Sequence, residues 1–320
     1  MEYTKLGNSE LSVSRLCVGC MSFGDPASNM HAWTLNEAES ETLIRRALDL
    51  GINFFDTANI YSAGTSEEYL GRAIKKHVPR DKVVLATKVY FNEGHLSRSA
   101  IFREIDGSLK RLGTDYVDLY IIHRFDAGTP VEETMEALHA LVKAGKVRAL
   151  GASAMYGYQF YNMQLAAREN GFTPFVSMQN HYNLLYREDE RELIPICKQQ
   201  NIARTPYSPL AAGRLSRLVW HADTMRSQTD KTAVSKYDGT EETDYAIVLR
   251  VNELAQKYDA TMTQIALAWQ FAKGVTSPLI GATKAKYFDD ATGAFHVKLT
   301  EEDITCLEEP YVPHKVVGAL

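Results

Sequence analysis

Short apolar runs alternate with amphipathic stretches along most of the chain. The runs at 15–19, 52–56, 83–89, 117–123, 147–153, 175–180, 202–208 and 276–281 read as strands. From the second to the seventh they recur about every 27 to 34 residues, the length of a βα unit. The stretches between them carry helix signals. In "TPVEETMEALHALVKAG", Thr129 is expected as N-cap, Pro130 at the first helical position and Glu132 closing a capping box. Met135, Leu138, Leu141 and Val142 share one face, and Gly145 stops the helix. "TSEEYLGRAIKK" repeats the box with Thr65 and Glu68, and "EAESETLIRRALDLG" ends on Gly51.

Eight strands alternating with helices predict an α/β fold, a (β/α)8 TIM barrel, as one domain over 1–320. An open doubly wound sheet binding a dinucleotide would usually carry GxGxxG after an early strand, and the sequence has none. Two stretches break the period. "YTKLGNSELSVS" precedes the first strand and reads as a β-hairpin around Gly7-Asn8. Residues 211–243 are polar and irregular, a long loop after strand seven of the kind that is usually functional or mobile.

Chemistry in a barrel gathers at the carboxyl ends of the strands. With a side-chain period of two, Ile52, Phe54 and Asp56 share a face, as do Val84, Ala86 and Lys88, and Leu119, Ile121 and His123. Three consecutive strands thus end an inward apolar row on an ionisable group. "INFFDTANIY" adds Tyr61 five residues beyond Asp56. A phenol is a poor acid near neutrality, and a neighbouring ammonium favours its phenolate. Lys88 supplies that charge, and Asp56 keeps Lys88 protonated. His123 can hydrogen-bond a carbonyl oxygen. The set is suited to protonating an oxygen while its carbon receives hydride.

Composition narrows the partners. A net charge of −5 over 320 residues, without a long basic cluster, speaks against nucleic acid. No apolar run reaches the roughly 18 residues of a membrane span, and the polar start carrying Glu2 is not a signal peptide, so a cytoplasmic address is expected. Cys17 and Cys20 form a CxxC, but no second ligand pair is suitably spaced for zinc. The stretch reads as a strand entering a Gly loop, so two small core residues are expected, with no metal. No HxH or HExxH occurs. His139 and His181 lack spaced partners and read as structural. "YREDERE" reads as the solvated start of a helix.

Asp56, Tyr61, Lys88 and His123, in "FFDTANIY", "LATKV" and "DLYIIHR", resemble the catalytic tetrad of the aldo-keto reductase superfamily. The similarity runs from "YTKLGNSELSVSRLCVGCMSFG" to "EEPYVPH". "SMQNHYNLLYREDERELIP" resembles the branch of bacterial reductases and fungal aryl-alcohol dehydrogenase-like proteins. The resemblance implies an NADP(H)-dependent reductase of small carbonyl substrates, with the nicotinamide at the carboxyl face of the barrel. By position it implies that Ser153 and Gln179 hold the carboxamide and that Tyr207 stacks on the nicotinamide. Ser208, Leu210 and Gly213 would line the pyrophosphate path, and Gly19, Met21 and Ser22 would approach the ribose. Thr283, Lys284, Tyr287 and Asp290 would meet the adenosine end, with Lys284 and Lys286 favouring the 2′-phosphate of NADPH.

Some positions depart from that pattern. Ala154 stands where many relatives have Asn or Ser, and Tyr287 and Ala291 where Gln and Asn are frequent. Arg204 and Thr205 replace an aliphatic pair; by parity with Tyr207, Arg204 is expected to face the helices, where it would need an acidic partner. Trp33, Tyr90, Phe91 and Phe125 fall just beyond strands one, three and four, and either wall a substrate pocket or pack the loops. A second reading is an NADP(H)-sensing regulatory subunit similar to channel-associated β subunits. The sequence offers no hydrophobic docking surface or partner-binding tail for it. The physiological substrate is not legible, and a homo-oligomer is left open.

Overall fold

The computed structural model of the chain describes residues 1–318. Tyr3–Lys5 (β1) and Ser12–Ser14 (β2) pair antiparallel as the expected hairpin, turning at Gly7. Eight parallel strands follow: Cys17–Gly19 (β3), Phe54–Asp56 (β4), Val84–Val89 (β5), Val117–Ile122 (β6), Val147–Ser153 (β7), Phe175–Gln179 (β8), Ala203–Arg204 (β9) and Leu279–Ile280 (β10). Their order in the sheet is β10-β3-β4-β5-β6-β7-β8-β9. Hydrogen bonds from the Thr276 amide to the Arg204 carbonyl (3.0 Å) and from the Leu279 amide to the Pro206 carbonyl (2.9 Å) join the two ends. The structure is a (β/α)8 barrel. β9 and β10 are shorter than expected because Pro206 and Pro278 lack the amide protons that a ladder needs.

The alternation of side chains sorts the core into two layers. Phe54, Val84, Ala86, Leu119, Ile121, Ala149 and Val176 fill the barrel with Leu6 and Val13 of the hairpin, which closes the amino end. Phe55, Leu85, Tyr120, Ile122 and Leu150 face outward into the helix layer. Ile52 departs from the expected parity. It precedes the regular strand, which starts only at Phe54, and packs with the outer layer.

The helices are Glu37–Asp49 (α1), Thr65–His77 (α2), Arg98–Leu112 (α3), Val131–Lys143 (α4), Gly157–Asn170 (α5), Leu193–Gln199 (α6), Met225–Thr229 (α7), Lys231–Tyr237 (α8), Glu241–Lys257 (α9), Met262–Ala272 (α10), Lys286–Gly293 (α11) and Glu301–Glu308 (α12). Two expected caps do not form. The Thr129 hydroxyl donates to Asp126 Oδ2 (2.6 Å), so α4 starts after Pro130 without a side-chain cap. The Thr65 hydroxyl donates to the Ser62 carbonyl (2.7 Å) and accepts from the Asp25 amide (2.8 Å), so it stitches two loops instead of closing a box with Glu68.

Residues 211–243 are not irregular. They contain α7 and α8, and they bury Leu215, Trp220, Ala233 and Tyr237 in a second apolar cluster. Asp238 ties the segment together through Arg214 and the Trp220 indole (3.0 Å). Arg204 also differs from expectation. It faces the helix layer, but its Nη2 donates to the carbonyls of Lys273 (2.8 Å) and Gly274 (2.6 Å). These carbonyls lie just past the end of α10, where helix carbonyls lack partners and a cation suits the dipole, so no carboxylate is needed.

Helix packing is tightest where α2 meets the end of α3. A Cβ built on Gly71 would lie 2.2 Å from the Leu112 carbonyl oxygen. Backbone cannot yield there as a flexible side chain would. Gly71→Ala is therefore expected to lower stability by about 1–3 kcal/mol. The urea midpoint measures it; an unchanged midpoint would mean that α2 and α3 separate without cost.

Candidate active site

The carboxyl end of the barrel gathers the three strand-end groups. Asp56 ends β4, Lys88 is the fifth residue of β5, and His123 directly follows β6. Neighbouring registers, Asp56 beside Ala86 and Lys88 beside Ile121, bring them to one mouth. Tyr61 opens a tight turn after β4, in which Ser62 (φ 46°), Ala63 (φ 54°) and Gly64 (φ 93°) are all left-handed. Left-handed alanines recur at Ala154, Ala211 and Ala212, all on this face. Such conformations persist only where the surrounding structure over-determines them, and they cluster at functional sites.

Lys88 is fully buried, and its ammonium has three protons for three acceptors. They go to Asp56 Oδ1, to the Thr57 carbonyl (2.8 Å) and to Tyr61 Oη (3.2 Å). Because Lys88 can only donate, the Tyr61 hydroxyl proton must point away from it. Asp56 Oδ2 accepts from Gln179 Nε2 (2.9 Å). That bond fixes the Gln179 amide with its Oε1 turned away from the pair.

Electrostatics follow from burial. Burial opposes charge on Lys88, but Asp56 and Tyr61 outweigh it and hold the ammonium above the ordinary lysine value. Burial pushes the Asp56 carboxyl up, opposed by the Lys88 charge and by hydrogen bonds from Lys88 and Gln179. Burial also raises the Tyr61 phenol above its ordinary value; Lys88 pulls it down, Asp56 pushes it up, and the balance is upward. The ammonium therefore does not leave the resting phenol a stronger acid than free tyrosine, as the sequence suggested. His123 is held well below the usual histidine range by burial and by the charges of Lys88 and Arg124, so its ring is neutral. Its Nδ1 is buried without a partner among the described residues. The ring meets Tyr61 edge-on at 5.9 Å and Phe91 at 5.0 Å.

The other expected site residues divide. Phe91 and Tyr90 pack edge to face at 5.1 Å beside His123. Trp33 is buried between the His31 ring (4.4 Å) and the Arg226 guanidinium (5.4 Å), and Phe125 packs against the outer core. The Ser153 hydroxyl donates to the Gln179 carbonyl (2.8 Å), which links the two expected carboxamide ligands to the Asp56–Lys88 pair. Tyr207 stacks on His181 at 5.2 Å, and its hydroxyl oxygen is buried without a partner among the described residues. Ser208 (φ 53°), Leu210 and Gly213 (φ 95°) follow in a chain of tight turns. Met21 is half-buried, and Ser22 donates to the Ala282 carbonyl (3.3 Å). Lys284 and Tyr287 are exposed and Thr283 half-buried at the start of α11. Asp290 Oδ1 accepts from Thr261 (2.7 Å) and Gln264 (3.0 Å) at the start of α10. Cys17 and Cys20 are buried free thiols, both pushed up by burial.

Two features of the mouth have no clear signal in the sequence. The stack Tyr186–His181–Tyr207 has centroid distances of 4.2 and 5.2 Å. Arg124, directly after His123, and Lys236, on α8 beside the Tyr207 ring, add two cations from distant parts of the chain.

Gly19 ends β3 and Gly281 follows β10, and a Cβ on either would meet nothing closer than 3.8 Å. Left-handed residues from Ala211 to Gly213 form the sort of turn whose amides gather around anions.

The Aldo/keto reductase family model matches residues 15–311. The chain is 42% identical over 341 residues to versiconal hemiacetal acetate reductase of Aspergillus parasiticus, covering 99% of this chain and 98% of that protein. It is 42% identical over 349 residues to a candidate aryl-alcohol dehydrogenase of Schizosaccharomyces pombe, with 99% and 98% covered. It is also 42% identical over 340 residues to the aldo-keto reductase AMT2 of Alternaria alternata, with 97% and 91% covered.

Removing one partner of a buried ion pair leaves an uncompensated charge. Asp56→Asn is expected to lower stability by about 3–5 kcal/mol. Denaturant titration reads the loss, and the double variant Asp56→Asn/Lys88→Met should regain part of it. No recovery in the double variant would show that the stranded ammonium is not the cause.

Proposed function

The chain belongs to the aldo/keto reductase family, and from that premise we propose that it reduces aldehydes or ketones to alcohols with NADPH, using Tyr61 as the proton donor. The family supports an oxidoreductase acting on carbonyl groups. One observation carries the finer reading: Lys88 bonds Asp56, the Thr57 carbonyl and Tyr61 Oη at once. Reduced nicotinamide, when bound, supplies the hydride to the carbonyl carbon.

The residues of the chain do the rest. Tyr61 keeps its proton through the neutral range because burial raises its pKa. Its O–H points into the mouth, since Lys88 occupies the other side of the oxygen. As the proton leaves for the developing alkoxide, the phenolate gains the full attraction of the ammonium at 3.2 Å in a water-poor site. Lys88 thus acts chiefly on the transition state, where charge appears. His123, neutral, can donate one hydrogen bond to the carbonyl oxygen and orient it.

Gln179 Oε1 and the Ser153 hydroxyl are suited to a carboxamide, and the Tyr207 ring to a nicotinamide face. Ser208, Leu210 and Gly213 suit the pyrophosphate; Gly19, Met21 and Ser22 suit the ribose. Thr283, Lys284, Tyr287 and Asp290 are the candidates for the adenosine end. The regulatory-subunit reading has no comparable support, because a sensor does not require a phenol backed by a buried ammonium.

Tyr61→Phe is expected to lower turnover by about 10² to 10⁴ while NADPH still binds. In the unmodified protein, kcat for reduction should stay level from about pH 7 to 9, since His123 is already neutral and Tyr61 is still protonated there. Near-normal turnover by the Phe variant would refute the assignment. A second expectation concerns the phosphate. Lys284→Ala should weaken NADPH on the order of ten- to a hundred-fold and leave NADH nearly unchanged, measured by fluorescence titration. Equal losses for both would mean that Lys284 supports the loop rather than the phosphate.

A further inference from the structure

We propose that Arg124 and Lys236 form an anion subsite at the mouth, so that the preferred substrates are aryl aldehydes bearing a carboxylate. This rests on the carbonyl-reductase reading and adds the substrate class. Arg124 is the residue after His123, and its Nη1 is buried without a hydrogen-bond partner. It takes part in no ion pair among the described residues. Lys236, on α8, is half-buried and likewise has no ion pair or hydrogen bond among them. Its Nζ stands 4.6 Å from the centroid of the Tyr207 ring.

The carboxylate that acts on Lys236, Asp230, is already engaged. Asp230 accepts from Arg226 Nε (3.2 Å) and from the Ala233 amide (2.9 Å). The two cations feel each other and the site. Burial pushes Lys236 down to about 8, and the Arg124 charge adds to that fall. The same guanidinium lowers His123 and acts on Tyr207. Two like charges with no ion pair among the described residues are unfavourable, and an anion between them would relieve both. A carboxylate fits the planar fork of Arg124, and Lys236 adds a point charge.

Cofactor phosphate is the competing anion. The features suited to it, the turns at Ala211–Gly213 and Lys284 before α11, follow β9 and β10. Arg124 follows β6, four strands from β10 and three from β9, and it adjoins the residue expected to meet the carbonyl, whereas Lys236 belongs to the segment after β9. The ring of the substrate is set by Phe91, exposed at the mouth and edge-on to His123 at 5.0 Å. An arene with its aldehyde at Tyr61 and His123 would extend its far end toward the cations.

The test pairs 4-carboxybenzaldehyde with methyl 4-formylbenzoate, which differ in charge at that far end. The unmodified protein should prefer the acid in kcat/KM. Arg124→Gln should reduce the acid-to-ester ratio on the order of ten- to a hundred-fold, and Lys236→Met should reduce it less. Binding of both compounds by calorimetry, without cofactor, gives a readout independent of turnover. If neither compound is reduced but the acid binds better and Arg124→Gln abolishes the preference, the subsite stands and the reductase reading falls. An unchanged ratio in Arg124→Gln overturns the subsite. So does a loss of NADPH affinity with acid and ester falling equally, which would assign the cations to the cofactor.

Discussion

An ammonium deep in a barrel is the constraint around which the mouth is built. Lys88 is wholly buried, and a lone ammonium there would shed its proton. It stays charged because the Asp56 carboxylate, a backbone carbonyl and the Tyr61 oxygen surround it. Each acceptor brings a requirement of its own. Asp56 needs a second donor, which is Gln179. The main-chain carbonyl of Gln179 in turn accepts from the Ser153 hydroxyl. Tyr61 can reach Lys88 only if the chain after β4 turns sharply, and left-handed Ser62 and Ala63 make that turn. One buried charge thus organises residues from five elements.

Local periodicity made the centre legible. A strand places every second residue on one face, so Phe54–Asp56, Val84–Ala86–Lys88 and Leu119–Ile121–His123 carried their geometry in their spacing. The hairpin was legible in the same way, from Gly7-Asn8 between two short extended runs. What was not legible depended on contacts distant in sequence. The Gln179–Asp56 bond spans 123 positions, and nothing local marks Gln179 as the donor. Thr129 and Thr65 carry the letters of helix caps, but Asp126 and Ser62 compete for their hydroxyls and win. Arg204 finds the carbonyls beyond α10, a partner that residue type alone does not reveal.

The stretch 211–243 shows a different limit. Its polar composition hides five buried apolar side chains, Ala211, Leu215, Trp220, Ala233 and Tyr237, separated too irregularly for any period. Asp238, bonding Arg214 and the Trp220 indole, replaces periodicity as the organiser. The segment delivers Lys236 to the Tyr207 ring and Arg226 to Trp33. Strands hold Asp56, Lys88 and His123 at fixed depth, and this segment brings Lys236 to the mouth. On the proposed readings, chemistry and selectivity would be carried by parts of the chain with different folding logic.

Burial at this mouth acts in two directions, and the two fit together. It raises the Tyr61 phenol, which opposes proton release from the resting group. It also removes the water that would screen Lys88 from a phenolate, which strengthens the attraction once the proton moves. An exposed pair would gain little from the ammonium in either state. A buried phenol without Lys88 would hold its proton too tightly to give it up. On the proposed reading, the combination keeps the donor loaded at neutral pH and still stabilises the phenolate it becomes. The same burial neutralises His123, since a second positive charge beside Lys88 would be costly. On the proposed reading, the one proton left free to transfer belongs to Tyr61.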